Sequence, residues 1–250
     1  MDPGPPSLFA WRGQARGSSP VRWGLGDFIW IYVAGIIGSG VFAAIAFAVT
    51  GDTNDHYGAF TLAMLVAGQY GVWFAGTIVV SHWKGRGSLR RDFGFTVRVS
   101  RLWALLAGIA TTLVLGLLVS PLVNLANGQK ENVVNDLAQS QGAKRVVFLL
   151  TAAIVAPAFE ELLFRGLLLR SLRRRFSPAV AVAGSALLFA VAHLVGGVTL
   201  GTIAVVPALF ALGAISGVAA VWTGDLTVSI PLHMGFNLLT VAEYAFLFHH

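Results

Sequence analysis

Residues 146–169 read VVFLLTAAIVAPAFEELLFRGLLL, an apolar run that carries two adjacent glutamates, Glu160 and Glu161, and an arginine, Arg165. Crossing the hydrocarbon core of a bilayer takes roughly 20 residues of helix. Inserting one charge at the centre of such a helix costs about 2.5–3.5 kcal/mol. The run is therefore read as a membrane helix, and its ionisable groups call for a partner or a task. On a helix Glu161 and Arg165 are i and i+4 and can pair, whereas Glu160 points about 100° away and is free for other work.

Working outward, six more apolar blocks flank this one, at 28–49, 59–81, 102–125, 178–196, 198–221 and 226–247, bounded by charges or by Gly, Pro, Asn or Asp. The expected fold class is all-α, a polytopic transmembrane helix bundle of about seven spans. Composition agrees: 56% of the 250 residues are hydrophobic and 11% charged, against about 25% charged in a soluble domain. Mean hydropathy is +0.75. The fifth and sixth blocks are the least clearly divided, because only Gly196, Gly197 and Thr199 part them; a broken or re-entrant arrangement there would change the count. The organisation expected is a flexible cytoplasmic tail over 1–26, N-terminal spans and loops over 27–145, and a chemistry-bearing membrane core over 146–250.

The net charge of +6 does not point to nucleic acid, because the basic residues sit in short stretches between apolar blocks instead of along one soluble face. They read as topology signals. Thirteen Lys and Arg fall before the first block, between the second and third and after the fourth, against Lys130, Lys144 and Arg145 on the other side, which places the N-terminus in the cytoplasm. The run from Arg170 to Arg175 reads as a topology and anionic-lipid anchor. Leu89 to Arg101 mixes arginines with Phe93, Phe95, Val97 and Val99, suiting either an interfacial stretch or a solvated loop. The Gly35, Gly38, Gly40 cluster and the Gly213, Gly217 pair read as helix packing. Asp52, Asp55 and His56 read as a polar turn, and His82, Glu243, His249 and His250 as interfacial residues at span ends. No cysteine is present, which excludes disulfides, thiolate zinc sites and a cysteine nucleophile. No internal repeat of the kind common in transporters is visible.

Two other blocks carry polar residues at helical spacing: Phe189 and His193 in the fifth, His233 and Asn237 in the last. Glutamate, imidazole and amide groups can together activate a water at neutral pH, through a carboxylate base or a bound metal. Glu160 is the expected general base. His193 and His233 are the expected ligands of a water or a metal, and Asn237 could donate to a developing oxyanion. Ser185 lacks the setting of a serine nucleophile.

These residues resemble a known family, the CAAX prenyl endopeptidase type II and bacteriocin-processing (CPBP) intramembrane proteases. The family's Glu-Glu-x-x-x-Arg looks like Glu160, Glu161 and Arg165; its Phe-x-x-x-His looks like Phe189 and His193; its His-x-x-x-Asn looks like His233 and Asn237. The resemblance covers roughly residues 146–247. It implies a membrane-embedded endopeptidase in which Glu160 and His193 activate the hydrolytic water while His233 and Asn237 stabilise the oxyanion. It also implies a peptide or protein substrate and the plasma membrane of a prokaryote as the location. Both a metal-independent glutamate mechanism and a divalent metal, zinc being the candidate, held by Glu160, His193 and His233 fit these residue types. Two other readings stay open: a non-proteolytic scaffold or immunity-type membrane protein, and a proton-coupled transporter using Glu160 and His193 as a relay.

Overall fold

Eight helices make up most of the described part of the computed structural model, residues 21–54, 56–126, 137, 140–195, 197–243 and 245. Expectations about the tail before residue 21, Asp55, Lys130, Gly196, His249 and His250 lie outside the described residues. The helices are α1 (Leu25–Thr50), α2 (Ala59–Lys84), α3 (Leu89–Phe93), α4 (Trp103–Leu125), α5 (Gly142–Leu172), α6 (Pro178–Ala192), α7 (Leu200–Thr223) and α8 (Ser229–Ala242). No strand occurs among the described residues. The protein is an all-α integral membrane bundle.

Five helices, α1, α2, α4, α5 and α7, are long and apolar enough to cross a membrane. The segments expected as the fifth and seventh spans form shorter helices of 15 and 14 residues. At 1.5 Å per residue the 15 residues of α6 reach about 22 Å, less than a hydrocarbon core of about 30 Å. Local chemistry sets their ends. Ser177 caps α6, accepting the Val180 N–H, with Pro178 in the first turn, where its missing N–H costs nothing. Before α8, Asp225 accepts the N–H and the hydroxyl of Thr227 at 3.1 and 2.6 Å, which holds residues 225–228 in a turn.

Small residues set how closely the helices cross. A Cβ on Gly108 of α4 would lie 1.9 Å from the Leu232 carbonyl oxygen of α8, and one on Gly235 would lie 1.9 Å from that of Leu105. The two backbones therefore touch, and the Thr112 hydroxyl donates across the contact to the Phe236 carbonyl at 3.0 Å. Gly38 and Gly68 make the same mutual contact between α1 and α2. In lipid, where apolar side chains gain nothing by leaving the solvent, such close packing and interhelical hydrogen bonds drive association. Gly40 meets nothing within 4 Å, so only part of the expected glycine cluster is packing surface.

The arginine-rich end of the bundle is tied by backbone acceptors. Asp92, only 2% exposed, accepts the Ser81 hydroxyl at 2.6 Å and the Arg86 N–H at 2.8 Å. Arg170 donates to the Gly224 and Asp92 carbonyls at 2.8 and 3.3 Å. Phe93 is fully buried, while Val97 and Val99 are 68% and 80% exposed. The segment 89–101 is thus half core and half surface: α3 tucks Phe93 under Trp23, Phe95 still packs against the core, and the residues from Val97 to Ser100 are exposed. At the opposite turn Asp52 accepts the Gly58 N–H and the Thr61 hydroxyl. Those bonds hold its carboxyl below the usual carboxylate range and make it a structural turn residue.

Gly235→Ala is expected to lower stability by about 1–3 kcal/mol, since the α4 backbone must give way, and Gly40→Ala to leave it unchanged. Melting curves of the detergent-solubilised variants compare the two directly.

Candidate active site

The site is built on α5, which is not a regular α-helix. Wide π-type turns run over Thr151–Val155 and Leu162–Leu169, on either side of the segment Ala156–Glu161. Such turns are uncommon and concentrate at functional sites. Pro157 leaves a carbonyl of the first without its partner. A π turn bonds the N–H of one residue to the carbonyl five before it, and residue 157 would serve Ala152, but proline has no N–H. Asn237 of α8 replaces it, its Nδ2 donating to the Ala152 carbonyl at 2.8 Å. This places one amide hydrogen of the expected oxyanion donor in an interhelical bond and leaves the second for another acceptor.

The second π turn is buried throughout, and Arg165 is 1% exposed within it. Arg165 lies 3.1 Å from Glu161 Oε1, both side chains fully buried, as the i, i+4 spacing led one to expect. Its guanidinium also sits 4.3 Å from the centre of the Phe189 ring on α6, a cation–π contact in a dry setting. The same Glu161 oxygen accepts the Nδ1–H of His233 at 3.0 Å. One carboxylate thus serves an arginine on its own helix and a histidine on α8.

Glu160 faces the other way from Glu161 yet meets the same histidine. Its Oε2 lies 3.8 Å from His233 Nε2, and its Oε1 accepts the Tyr70 hydroxyl of α2 at 3.2 Å. Its side chain is 12% exposed, against 0% for Glu161. Of the two adjacent acids, Glu160 alone has an open side. Tyr70 was not singled out by sequence reasoning; a tyrosine in an apolar block, next to Gln69, is its only signal. Tyr70 is itself packed against Phe159 and Trp73, which fixes where its hydroxyl points.

His193 stands at the C-cap of α6, where the helix has just ended. Its Nδ1–H donates to the Phe189 carbonyl at 2.8 Å, so in the neutral ring Nε2 carries the free lone pair. The Phe189 ring contacts the rings of both His193 and His233 edge-on, at centroid distances of 4.7 and 5.4 Å. Glu160, Glu161, Arg165 and His233 are therefore in direct contact, Asn237 is one turn further along α8, and His193 joins them through Phe189. No hydrogen bond or ion pair links His193 to Glu160 among the described residues, nor does any group of three His, Asp or Glu side chains that could hold a metal ion occur among them. The donors expected for an ion do not form a ligand set in this arrangement.

A helical membrane protein with two acids and a histidine from separate helices gathered in its interior, and a second histidine exposed at a helix end beside them, is the class that fold and site define. Residues 142–239, which include all six expected site residues, match the family model described as type II CAAX prenyl endopeptidase Rce1-like. The chain is also 30% identical, over 139 residues, to the membrane-embedded CAAX protease MroQ of Staphylococcus aureus (strain USA300), a match covering 53% of this chain and 53% of that protein. It thus spans about half the length of the curated relative it matches. No solved structure matches. The core carrying the three motifs is thus similar to the family that they resemble.

Asn237→Ala, which orphans the Ala152 carbonyl, is expected to cost about 1–3 kcal/mol. Pro157→Ala in the same chain should recover part of that loss by restoring an N–H, a coupling that a double-mutant cycle on melting free energies measures. Removing one partner of the buried pair, as in Glu161→Gln, is expected to cost about 3–5 kcal/mol, seen as a large drop in the yield of folded protein.

Proposed function

We propose that this protein is an intramembrane endopeptidase that hydrolyses a peptide bond in or next to the bilayer with a water activated by Glu160. The observation that carries this reading is the division of labour between two adjacent acids. Glu161 is sealed in and neutralised by Arg165, while Glu160 keeps an open side and is aimed by Tyr70. A structural ion pair needs one carboxylate, and nothing in helix packing calls for a second beside it, partly open and hydrogen-bonded.

In the reaction Glu160 takes a proton from the water as its oxygen attacks the peptide carbonyl. The Nε2 lone pair of His193 orients that water, its ring held by the Phe189 carbonyl. His233, tied through Nδ1–H to Glu161, acts as an imidazolium held between the two glutamates; only in that doubly protonated form does its Nε2–H donate, with the second amide hydrogen of Asn237, to the oxyanion of the tetrahedral intermediate. Glu160 then returns its proton to the departing amine. Glu161 and Arg165 act as positioning residues. The substrate is a membrane-bound peptide or protein that enters from the arginine-rich side, which the distribution of Lys and Arg makes cytoplasmic. A bacterial plasma membrane suits both that distribution and the staphylococcal relative. The metal-dependent variant, with zinc shared by Glu160, His193 and His233, would require these donors to move together.

A second reading draws on the buried Glu161–Arg165–His233 network, which is also what a non-proteolytic scaffold would use to fasten its helices. Turnover separates the two. Reconstituted with a cleavable membrane peptide, Glu160→Gln and His193→Ala should each lose at least about 100-fold in turnover while keeping the melting temperature of the parent. Unchanged cleavage in both variants would sink the hydrolase reading. Preincubation with a chelator, followed by zinc, should leave turnover unaltered under the glutamate mechanism and abolish and restore it under the metal one.

A further inference from the structure

A cavity of about 340 Å³ lies away from the acids, between the segment that leads into α1 and the C-terminal end of α5. That volume falls within the range of small-ligand sites, roughly 300–1,000 Å³. Its wall includes Arg22, Trp23, Gly24, Arg174 and Arg175, three cations with no carboxylate among the lining residues. The acid closest in sequence, Asp27, is already engaged by Lys84 at 2.6 Å and by the Gly24 N–H at 2.9 Å. We propose that this cavity binds the phosphate group of an anionic phospholipid.

Arg174 is positioned before any ligand arrives. Arg174 donates to the Val21 carbonyl at 3.1 Å and to that of Trp23, and its guanidinium lies 4.5 Å over the Trp23 ring. Burial, and then repulsion from Arg175, lower the Arg174 guanidinium below its ordinary value, a cost that an anion in the cavity relieves. Trp23 is 4% exposed, and its indole N–H finds no acceptor among the described residues. A buried donor left without an acceptor costs about 1–3 kcal/mol, and a phosphate oxygen is the acceptor that suits both the indole and the arginines.

A phosphate group reaches such a cavity free in solution or on a lipid. The surroundings favour the lipid. The cavity sits at the ends of two helices long and apolar enough to cross a membrane, on the arginine-rich side of the bundle, the setting in which cationic side chains meet anionic headgroups. Just beyond it along α1, Ile29, Trp30 and Val33 are 56%, 75% and 39% exposed, an apolar wall for the acyl chains of a lipid whose headgroup is held by the arginines.

Native mass spectrometry of the full-length protein, released from detergent with equal amounts of phosphatidylglycerol and phosphatidylcholine, tests the site. The wild type should retain phosphatidylglycerol about tenfold or more in preference. Arg22→Gln with Arg175→Gln should remove the preference at an unchanged melting temperature. Arg90→Gln with Arg91→Gln, exposed cations outside the cavity, should keep it. No preference in the wild type, or equal loss in both double variants, would overturn the proposal. In parallel melts, stabilisation by dihexanoyl phosphatidylglycerol but not by inorganic phosphate supports a lipid site. Equal stabilisation by inorganic phosphate overturns the lipid as the source.

Discussion

The ion pair between Glu161 and Arg165 constrains everything around it. Both side chains are out of reach of solvent, and several kcal/mol per ion are forfeited when charges leave water. That loss is offset only if the partners stay locked together, so every neighbour that shapes the pair is under constraint. Phe189 covers the guanidinium, His233 adds a second partner to the same carboxylate oxygen, and the buried π turn of α5 supplies the backbone. Three helices, α5, α6 and α8, are brought into register by one charge pair.

From this follows the closeness of the remaining contacts. For His233 to reach Glu161, α8 must lie hard against its neighbours, and the glycine contact with α4 allows that. The proline and the asparagine form a second tie between α5 and α8. Here a missing backbone N–H on one helix is answered by a side-chain amide on the other. In hydrocarbon an unanswered carbonyl has no water to turn to, so the two residues act as a unit although 80 positions separate them in the chain.

The same arrangement separates two chemically identical side chains. Glu161 has its charge matched and its surroundings closed, whereas Glu160 leans on a single hydroxyl and stays open. Adjacent positions on a helix diverge by about 100°, so one faces the sealed interior and the other its edge. The first two helices take part in this through an aromatic layer, Phe28, Tyr32, Trp73 and Tyr70, which packs from α1 and α2 onto Phe164 and Phe159 of α5. One core runs through both parts of the chain.

Membrane residence and all-α class were legible in the sequence because lipid admits few solutions: a long apolar run must close its own hydrogen bonds as a helix. The pairing of Glu161 with Arg165 was equally legible, since i, i+4 spacing is local geometry. The three motifs named the acids and the histidine that gather in the interior, and the exposed histidine beside them. Other features depended on how separate helices lie against one another, which no local spacing encodes. Among these are the Tyr70 hydroxyl on Glu160, the Phe189 ring between two histidines, the use of Asn237 to serve the carbonyl that Pro157 leaves bare, and the seating of His193 at a helix end. Sequence determined which groups enter the membrane and which neighbours along one helix can pair. Only the tertiary structure decided which of them touch, because contacts between helices are set by the depth, tilt and closeness of backbones that small residues allow to meet.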